Sequence, residues 1–347
     1  MGSFTQAETV VTEAEGTNGE AIRGSLMQAI VQDGYGSPDV LRVAQVERPS
    51  PAAGEVLVRV RAAGVDRGTW HVMSGRPHAV RLAFGLRRPR FPVAGMDGAG
   101  TVVAVGAGVT RFSVGDEVFG VLKGSFAEYA AARERTVAHK PAELGFEQAA
   151  VVAVSGVTAL QAVRDAGRVQ PGQHVLVVGA SGGVGTYAVQ VAKAFGAEVT
   201  GVCSTAKTDL VRSIGADHVI DYTKSDFTAG DRRYDMVLFI NGTHSASGLR
   251  RALTPRGTLV VAGGEDGGSW LGLGRQLRAL TLSPFVGQRL TAIVAKQRHT
   301  DLEALSTLIQ EGKVTPVVGA TYLLAQVSDA VRCLEAGHAR GKLAITL

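Results

Sequence analysis

Val175-Leu176-Val177-Val178-Gly179-Ala180-Ser181-Gly182-Gly183-Val184-Gly185 decides the fold of this 347-residue chain. The apolar run 174–178 is too short for a buried helix and is closed by glycine, so it reads as a buried strand. An amphipathic helix over 184–195 follows the glycines directly. Strand, glycine turn and helix in immediate succession is the setting a dinucleotide fingerprint needs. Glycine lets the main chain approach a pyrophosphate, and the N–H groups of a helix start receive its charge. Against G-x-G-x-x-G, Ala180 takes the first glycine place, with Gly182 and Gly185 in the others. Ala180, Ser181, Gly182, Gly183 and Val184 are therefore candidate cofactor-binding residues.

Downstream the rhythm repeats. Strands are expected at 198–203, 218–220, 236–240 and 257–262, with helices at 207–214 and 249–253. Buried strands alternating with helices imply a doubly wound Rossmann sheet with parallel strands. Upstream, helices are expected at 146–150 and 156–163. Before residue 141 the text is different: short Val-rich runs at 27–32, 56–62, 100–105, 112–120 and 125–131, separated by Gly and Pro turns. This region reads as a largely antiparallel β-barrel. A helix at 301–310 and a strand at 343–347 close the chain. The expected layout is a disordered tail (1–26), a first unit (27–152), a Rossmann unit (153–296) and a return to the first unit (297–347).

The end of the second parallel strand chooses the cofactor. An NAD site usually carries Asp or Glu there to hold the ribose hydroxyls. Here Gly201-Val202-Cys203-Ser204-Thr205-Ala206-Lys207 brings no acid until Asp209. A carboxylate would repel a 2′-phosphate, whereas Ser204 and Thr205 can donate to it and Lys207 can neutralise it. NADPH is the cofactor this predicts. A solvated residue at a helix start is the plain alternative for Lys207.

Bulk properties agree with an ordinary globular enzyme: 45% hydrophobic, 19% charged, and 45 glycines placed singly at the ends of apolar runs. The formal charge of +5 is modest, and no basic stripe interleaved with aromatics suggests nucleic acid. No run is long enough for a membrane span. Cys203 and Cys333 are the two cysteines, so no disulfide framework is implied and a reducing, cytoplasmic setting is expected. Glu8, Glu13, Glu15 and Glu20 oppose a mitochondrial presequence.

Further motifs are spaced along the chain. They are Asp33-Gly34-Tyr35-Gly36-Ser37-Pro38-Asp39-Val40-Leu41, Ala62-Ala63-Gly64-Val65-Asp66, Gly95-Met96-Asp97-Gly98-Ala99-Gly100, and Gly115-Asp116-Glu117-Val118. Arg251-Ala252-Leu253-Thr254-Pro255-Arg256-Gly257 and Gly341-Lys342 follow the glycine turn. Together they resemble the medium-chain dehydrogenase/reductase superfamily, and within it the zinc-free, zeta-crystallin-like quinone oxidoreductase branch. The resemblance runs from about Met27 to Leu347 and implies a GroES-like barrel joined to the Rossmann domain. Zinc-dependent relatives place a cysteine near residue 66 and a His-Glu pair in the Gly95 motif. This chain has Asp66, Met96 and Asp97 there, so no metal is expected.

The resemblance also implies hydride transfer from NADPH to an activated C=C bond of an enone or quinone. The cofactor carries that chemistry, and the protein orients the substrate and stabilises an enolate. Relatives carry Asn where this chain has Asp66. An ionised Asp66 cannot donate to an enolate, so three roles stand open: a ribose acceptor, a buried protonated donor, or a cap for the next turn. Trp70 and His71 follow toward the cleft, Trp70 either as an apolar wall or as plain core. Thr158 matches a position at the nicotinamide end and Tyr222 one near the adenosine phosphates. Asn241, Gly263, Phe285 and Val286 lie near later strands, and Lys342 is expected to close the site. The loop 74–92, with Arg76, Arg81, Arg87, Arg88 and Arg90, is either a lid or a soluble surface loop. Reductive cyclisation of a conjugated precursor and NADPH binding without turnover are the competing functions. The expected partner is a small conjugated carbonyl compound, with a homodimer left open through the edge strand at 290–295.

Overall fold

The computed structural model describes residues 25–263 and 286–347. The expected tail lies outside them except for Ser25 and Leu26, and Leu26 already opens the first strand. The chain begins with β1 (Leu26–Val31), β2 (Arg42–Glu47) and β3 (Glu55–Val65). Two helices follow, α1 (Arg67–Ser74) and α2 (Val80–Phe84). Then come β4 (Asp97–Val105), β5 (Glu117–Val121), β6 (Tyr129–Arg133) and β7 (Val137–His139).

Helices α3 (Phe146–Ala149) and α4 (Ala153–Gln161) lead into β8 (His174–Val178), α5 (Gly183–Ala194) and β9 (Glu198–Cys203). Next are α6 (Thr208–Ser213), β10 (His218–Asp221), β11 (Tyr234–Phe239), α7 (Ala246–Arg251) and β12 (Leu253–Val261). The remaining elements are β13 (Arg289–Ala292), α8 (His299–Gln310), β14 (Val318–Leu323), α9 (Val327–Glu335) and β15 (Lys342–Thr346).

Among the described residues one sheet has the order β10-β9-β8-β11-β12-β13, every neighbour parallel. Val175, Leu176 and Val177 of β8 are fully buried, as a strand covered on both faces requires. A second sheet runs β14-β15-β3-β4-β5-β7, with β6 also paired to β3. It is antiparallel apart from β14–β15, and β15 lies against β3. The C-terminal strands thus complete the sheet that the N-terminal half begins. The fold is the expected pair, a GroES-like barrel and a Rossmann sheet. No helix among the described residues is long and apolar enough to cross a membrane.

Several boundaries differ from the sequence reading for local reasons. The strand expected at 112–120 starts only at Glu117, because Ser113 N–H donates to the Asp116 carboxylate at 2.8 Å and closes a turn. Phe112 is buried without belonging to a strand. The helix expected at 249–253 is displaced: Ser245 caps α7 by accepting from Gly248 N–H at 3.1 Å, and Leu253 already faces Tyr234 across β11–β12. Helix α4 begins earlier than expected and runs into a wider π-type turn over Ala162–Gly167. Elements β2, α1, α2, β7, β14 and α9 have no counterpart among the expected elements.

Candidate functional site

The glycine turn joins β8 to α5 at the C-terminal edge of the parallel sheet. Gly179 holds φ +92°, a left-handed conformation that side chains resist. A Cβ on Gly185 would stand 2.1 Å from the Gly179 carbonyl oxygen, so the strand and helix meet there with no room to spare. Gly182 is the N-cap of α5 and no side chain caps the helix. A Cβ on Gly182 would meet nothing nearer than 3.5 Å, which leaves open space above the uncapped amides. These residues fit a dinucleotide diphosphate: the approach is open and the donors are unspent. Ala180 is buried against β9, its N–H donating to the Val202 carbonyl at 3.0 Å, and packs the turn; Gly182 and Gly183 are half-buried, and Val184 packs on the core.

The C-terminal strand reaches this turn. Gly341 N–H donates to the Ser181 carbonyl at 2.9 Å, and Gly341 bridges Gly182. Lys342 is consequently buried, with its side chain 2.9 Å from where a Gly183 Cβ would be. Its Nζ lies 3.2 Å from Asp97 Oδ2, and Asp97 Oδ1 accepts from Val154 N–H at 2.8 Å at the start of α4. Asp97 is fully buried; desolvation pushes its carboxyl up to about 7, against the pull of Lys342 and with a further push from Asp66. Thr158 sits one turn beyond Val154 on α4, its hydroxyl donating back to the Val154 carbonyl at 2.6 Å.

Asp66 follows β3, which pairs Gly64 with Asp97. It is the N-cap of α1, and its Oδ1 accepts from Thr69 N–H at 2.8 Å. The capping role is thus the one the geometry realises. Its other oxygen, Oδ2, is buried without a partner, and so is the Thr69 hydroxyl. Two orphaned polar atoms thus share one buried turn, with Asp66 in electrostatic reach of Asp97. Trp70 is half-buried. Its ring packs against the cluster around Ile30, Met73 and Leu343, and its Nε1 donates to Glu335 of α9, while one side lines a cavity. His71 turns away from this turn: its Nδ1 is 2.6 Å from the Arg76 carbonyl beyond the end of α1.

At the far end of the crevice, β9 is not as free of acid as its own sequence suggests. Strand β10 lies beside it and sets Asp221 opposite Cys203. Thr205 hydroxyl donates to Asp221 at 2.5 Å, so Thr205 is spent on a carboxylate and is not an open donor. Thr205, Thr223 and its N–H together hold Asp221 down at about 2. Lys207 is bound too, donating to the Gly337 and Ala339 carbonyls at 2.8 Å beyond α9; desolvation first, then Arg340, lowers its pKa. Ser204 starts the turn after β9, and Tyr222 follows β10 with its side chain exposed. Arg340, exposed and within electrostatic reach of Lys207, was not singled out from sequence.

Asn241 belongs with the glycine turn, since a Cβ on Gly179 would lie 3.4 Å from it. Gly263 packs where a Cβ would strike the Ile240 carbonyl at 2.4 Å, at the same sheet edge. Val286 does not reach the crevice. It precedes Arg289, the first residue of β13, and so sits at the opposite, N-terminal edge, packed on the cluster around Leu253. The sequence reading placed the sixth strand correctly but took the wrong end of it. Phe285 lies outside the described residues.

An uncapped, glycine-lined helix start facing a buried Lys–Asp pair from the barrel defines a nicotinamide-dinucleotide oxidoreductase. Two family models match: "Alcohol dehydrogenase GroES-like domain" over residues 52–142 and "Zinc-binding dehydrogenase" over residues 214–345. The chain is 32% identical to the chloroplast envelope quinone oxidoreductase homolog of Arabidopsis thaliana, over 93% of this chain and 99% of that one. It is 33% identical to the 2-methylene-furan-3-one reductase of Solanum lycopersicum, over 92% and 79%. A mycobacterial protein solved in complex with NADPH superposes with TM-score 0.80 at 28% identity, covering 93% and 100%. The chain belongs to the medium-chain dehydrogenase/reductase superfamily, in its quinone-oxidoreductase-like branch, and is an NAD(P)H oxidoreductase by family. Among its described residues no group of three or more His, Cys, Asp or Glu is arranged to hold a metal.

Proposed function

We propose that this protein is a zinc-independent, NADPH-dependent reductase of conjugated carbonyl compounds, enones or quinones. The observation that carries the proposal is the pair of orphaned polar atoms, Thr69 Oγ1 and Asp66 Oδ2, buried in one turn, with Asp66 in electrostatic reach of Asp97, the partner of Lys342. When bound, NADPH supplies a hydride, which with one proton saturates the C=C bond of an enone or turns a quinone into a hydroquinone.

Each residue then has a task. The first amides of α5 bind the diphosphate. Lys342, fixed by Asp97, adds positive charge beside Gly183. Thr69 donates its hydroxyl proton in a hydrogen bond to the carbonyl oxygen as that oxygen gains charge. It supplies the donor that an ionised Asp66 cannot, and Asp66 holds the turn carrying it. Water delivers the proton to the α-carbon or to the second quinone oxygen. The tomato relative's name supports an enone acceptor and the Arabidopsis relative's name a quinone.

NADPH is preferred to NADH through Lys207, Arg340, Ser204 and Tyr222 around the β9 tip. Asp221 stays ionised, and its two oxygens are occupied by the Thr205 and Thr223 hydroxyls. We place the protein in the cytoplasm as a homodimer; among the described residues β13 is the edge strand of its sheet and offers the pairing surface. The test is NADPH oxidation followed at its absorbance against a panel of quinones and enones, with NADH in parallel. Turnover with at least one acceptor and a clear NADPH preference is expected. Tight NADPH binding with no turnover on any acceptor overturns the reductase reading.

A further inference from the structure

We infer that the cavity beside α1 is a subsite for an oxyanion, a carboxylate or phosphate carried at the remote end of the acceptor; this rests on the reductase reading of the neighbouring site. The cavity has a volume of about 300 Å³ and is walled by Tyr35 and Trp70, with Arg76, Arg81, His78 and Glu335 at its margin. Its charge is unbalanced. The one carboxylate, Glu335, already accepts from the Trp70 indole. Neither Arg76 nor Arg81 meets a carboxylate among the described residues. Arg81 is instead pinned by its Nε to the Gly75 carbonyl at 3.0 Å and stacked 4.7 Å from the Tyr35 ring, which aims its remaining N–H groups without spending them. A guanidinium oriented in this way is a fork for an oxyanion.

The surrounding segment strengthens the field. Residues 74–92 hold Arg76, Arg81, Arg87, Arg88 and Arg90 with no Asp or Glu, an excess equal to the whole chain's formal +5. Tyr35 hydroxyl ties this segment to the cavity wall by donating to the Gly85 carbonyl at 2.5 Å. The cavity also lies in line with the reducing site. Asp66 opens α1, and Trp70 and Ser74, both lining the cavity, follow on the same face, ~6 and ~12 Å along the axis at 1.5 Å per residue. An acceptor reduced beside Thr69 would lay its tail past Trp70 and set a charged terminus between Arg76 and Arg81.

The experiment compares 5-(1,4-naphthoquinon-2-yl)pentanoate with its methyl ester as acceptors, at low and high salt. In the wild-type protein kcat/KM should favour the acid about tenfold, the worth of one charge-assisted contact, and less so at high salt. Arg76→Gln combined with Arg81→Gln should collapse that preference toward unity, whereas the double Lys variant should keep most of it. Equal kcat/KM for acid and ester in the wild type overturns the subsite and leaves the reductase reading standing, as does a preference that survives the double Gln variant. Turnover of neither quinone, with NADPH bound and other acceptors of the panel reduced, overturns the subsite alone; turnover of no acceptor overturns both readings.

Discussion

Asp97 shows how one residue couples fold and chemistry. Burial raises its carboxyl to about 7, so between the ordinary carboxylate value and about 7 the native state holds a proton that the unfolded chain has lost. The stability this contributes is fully present below the unfolded value and disappears as pH climbs through the folded one. Unfolding midpoints measured in urea should therefore fall from about pH 4 to about pH 7. Asp97→Asn should flatten that slope; an unchanged slope would mean the group ionises normally. Thr69→Val tests the proposed donor. Losing one such hydrogen bond should lower kcat about a hundredfold with the NADPH dissociation constant little changed, as single-turnover kinetics and calorimetry would show. A kcat within about twofold of wild type would remove Thr69 from the chemistry. Sequence alone offered Asp97 only as a missing zinc ligand and passed over Thr69. Both become visible through contacts that are distant in sequence or absent: Lys342 lies 245 positions from Asp97, and the Thr69 hydroxyl shows itself by having no partner at all.

Among the elements, the β8–α5 turn was the most legible part of the chain, and its test is direct. Gly185→Ala would force a Cβ to within 2.1 Å of a main-chain oxygen. It should cost about 1–3 kcal/mol in stability and abolish NADPH binding in titration calorimetry, while binding retained at wild-type strength would contradict the close approach. The tip of β9 was less legible. Its own residues carry no acid, but the adjacent strand supplies Asp221, and α9 with the segment after it takes up Lys207. A strand's neighbours across the sheet are not written in its own text. The proposed NADPH preference is therefore assigned to Lys207 and Arg340 together. Lys207→Gln with Arg340→Gln should lower the kcat/KM ratio of NADPH to NADH about 10- to 100-fold, chiefly through KM for NADPH. An unchanged ratio would move the 2′-phosphate elsewhere. Val286 was misplaced for a simpler reason: an apolar run tells where a strand is before it tells which end meets the crevice.

For the whole molecule, the two sheets share one core, which joins Ala62, Ala99, Phe119 and Ala138 of the barrel to Val175 and Val177 of β8, and a late strand ties them again. Strand β15 pairs with β3 of the barrel, and the residue just before it, Gly341, hydrogen bonds to the glycine turn of the other sheet. The same short stretch therefore finishes the barrel and sets Lys342 against the glycine turn. The alternation of strand and helix made the Rossmann half readable, while the barrel's small edge elements, β2 and β14, escaped because their exposed residues alternate with half-buried ones and show no apolar run. In the proposed function, hydride passes from the dinucleotide to an acceptor held between the two units. The direct measurement uses NADPH deuterated at both C4 positions with a turned-over enone, the product being read by mass spectrometry and NMR. One deuterium at the β-carbon of the saturated product is predicted; a reduced product without that label would contradict hydride transfer from the dinucleotide held at this turn.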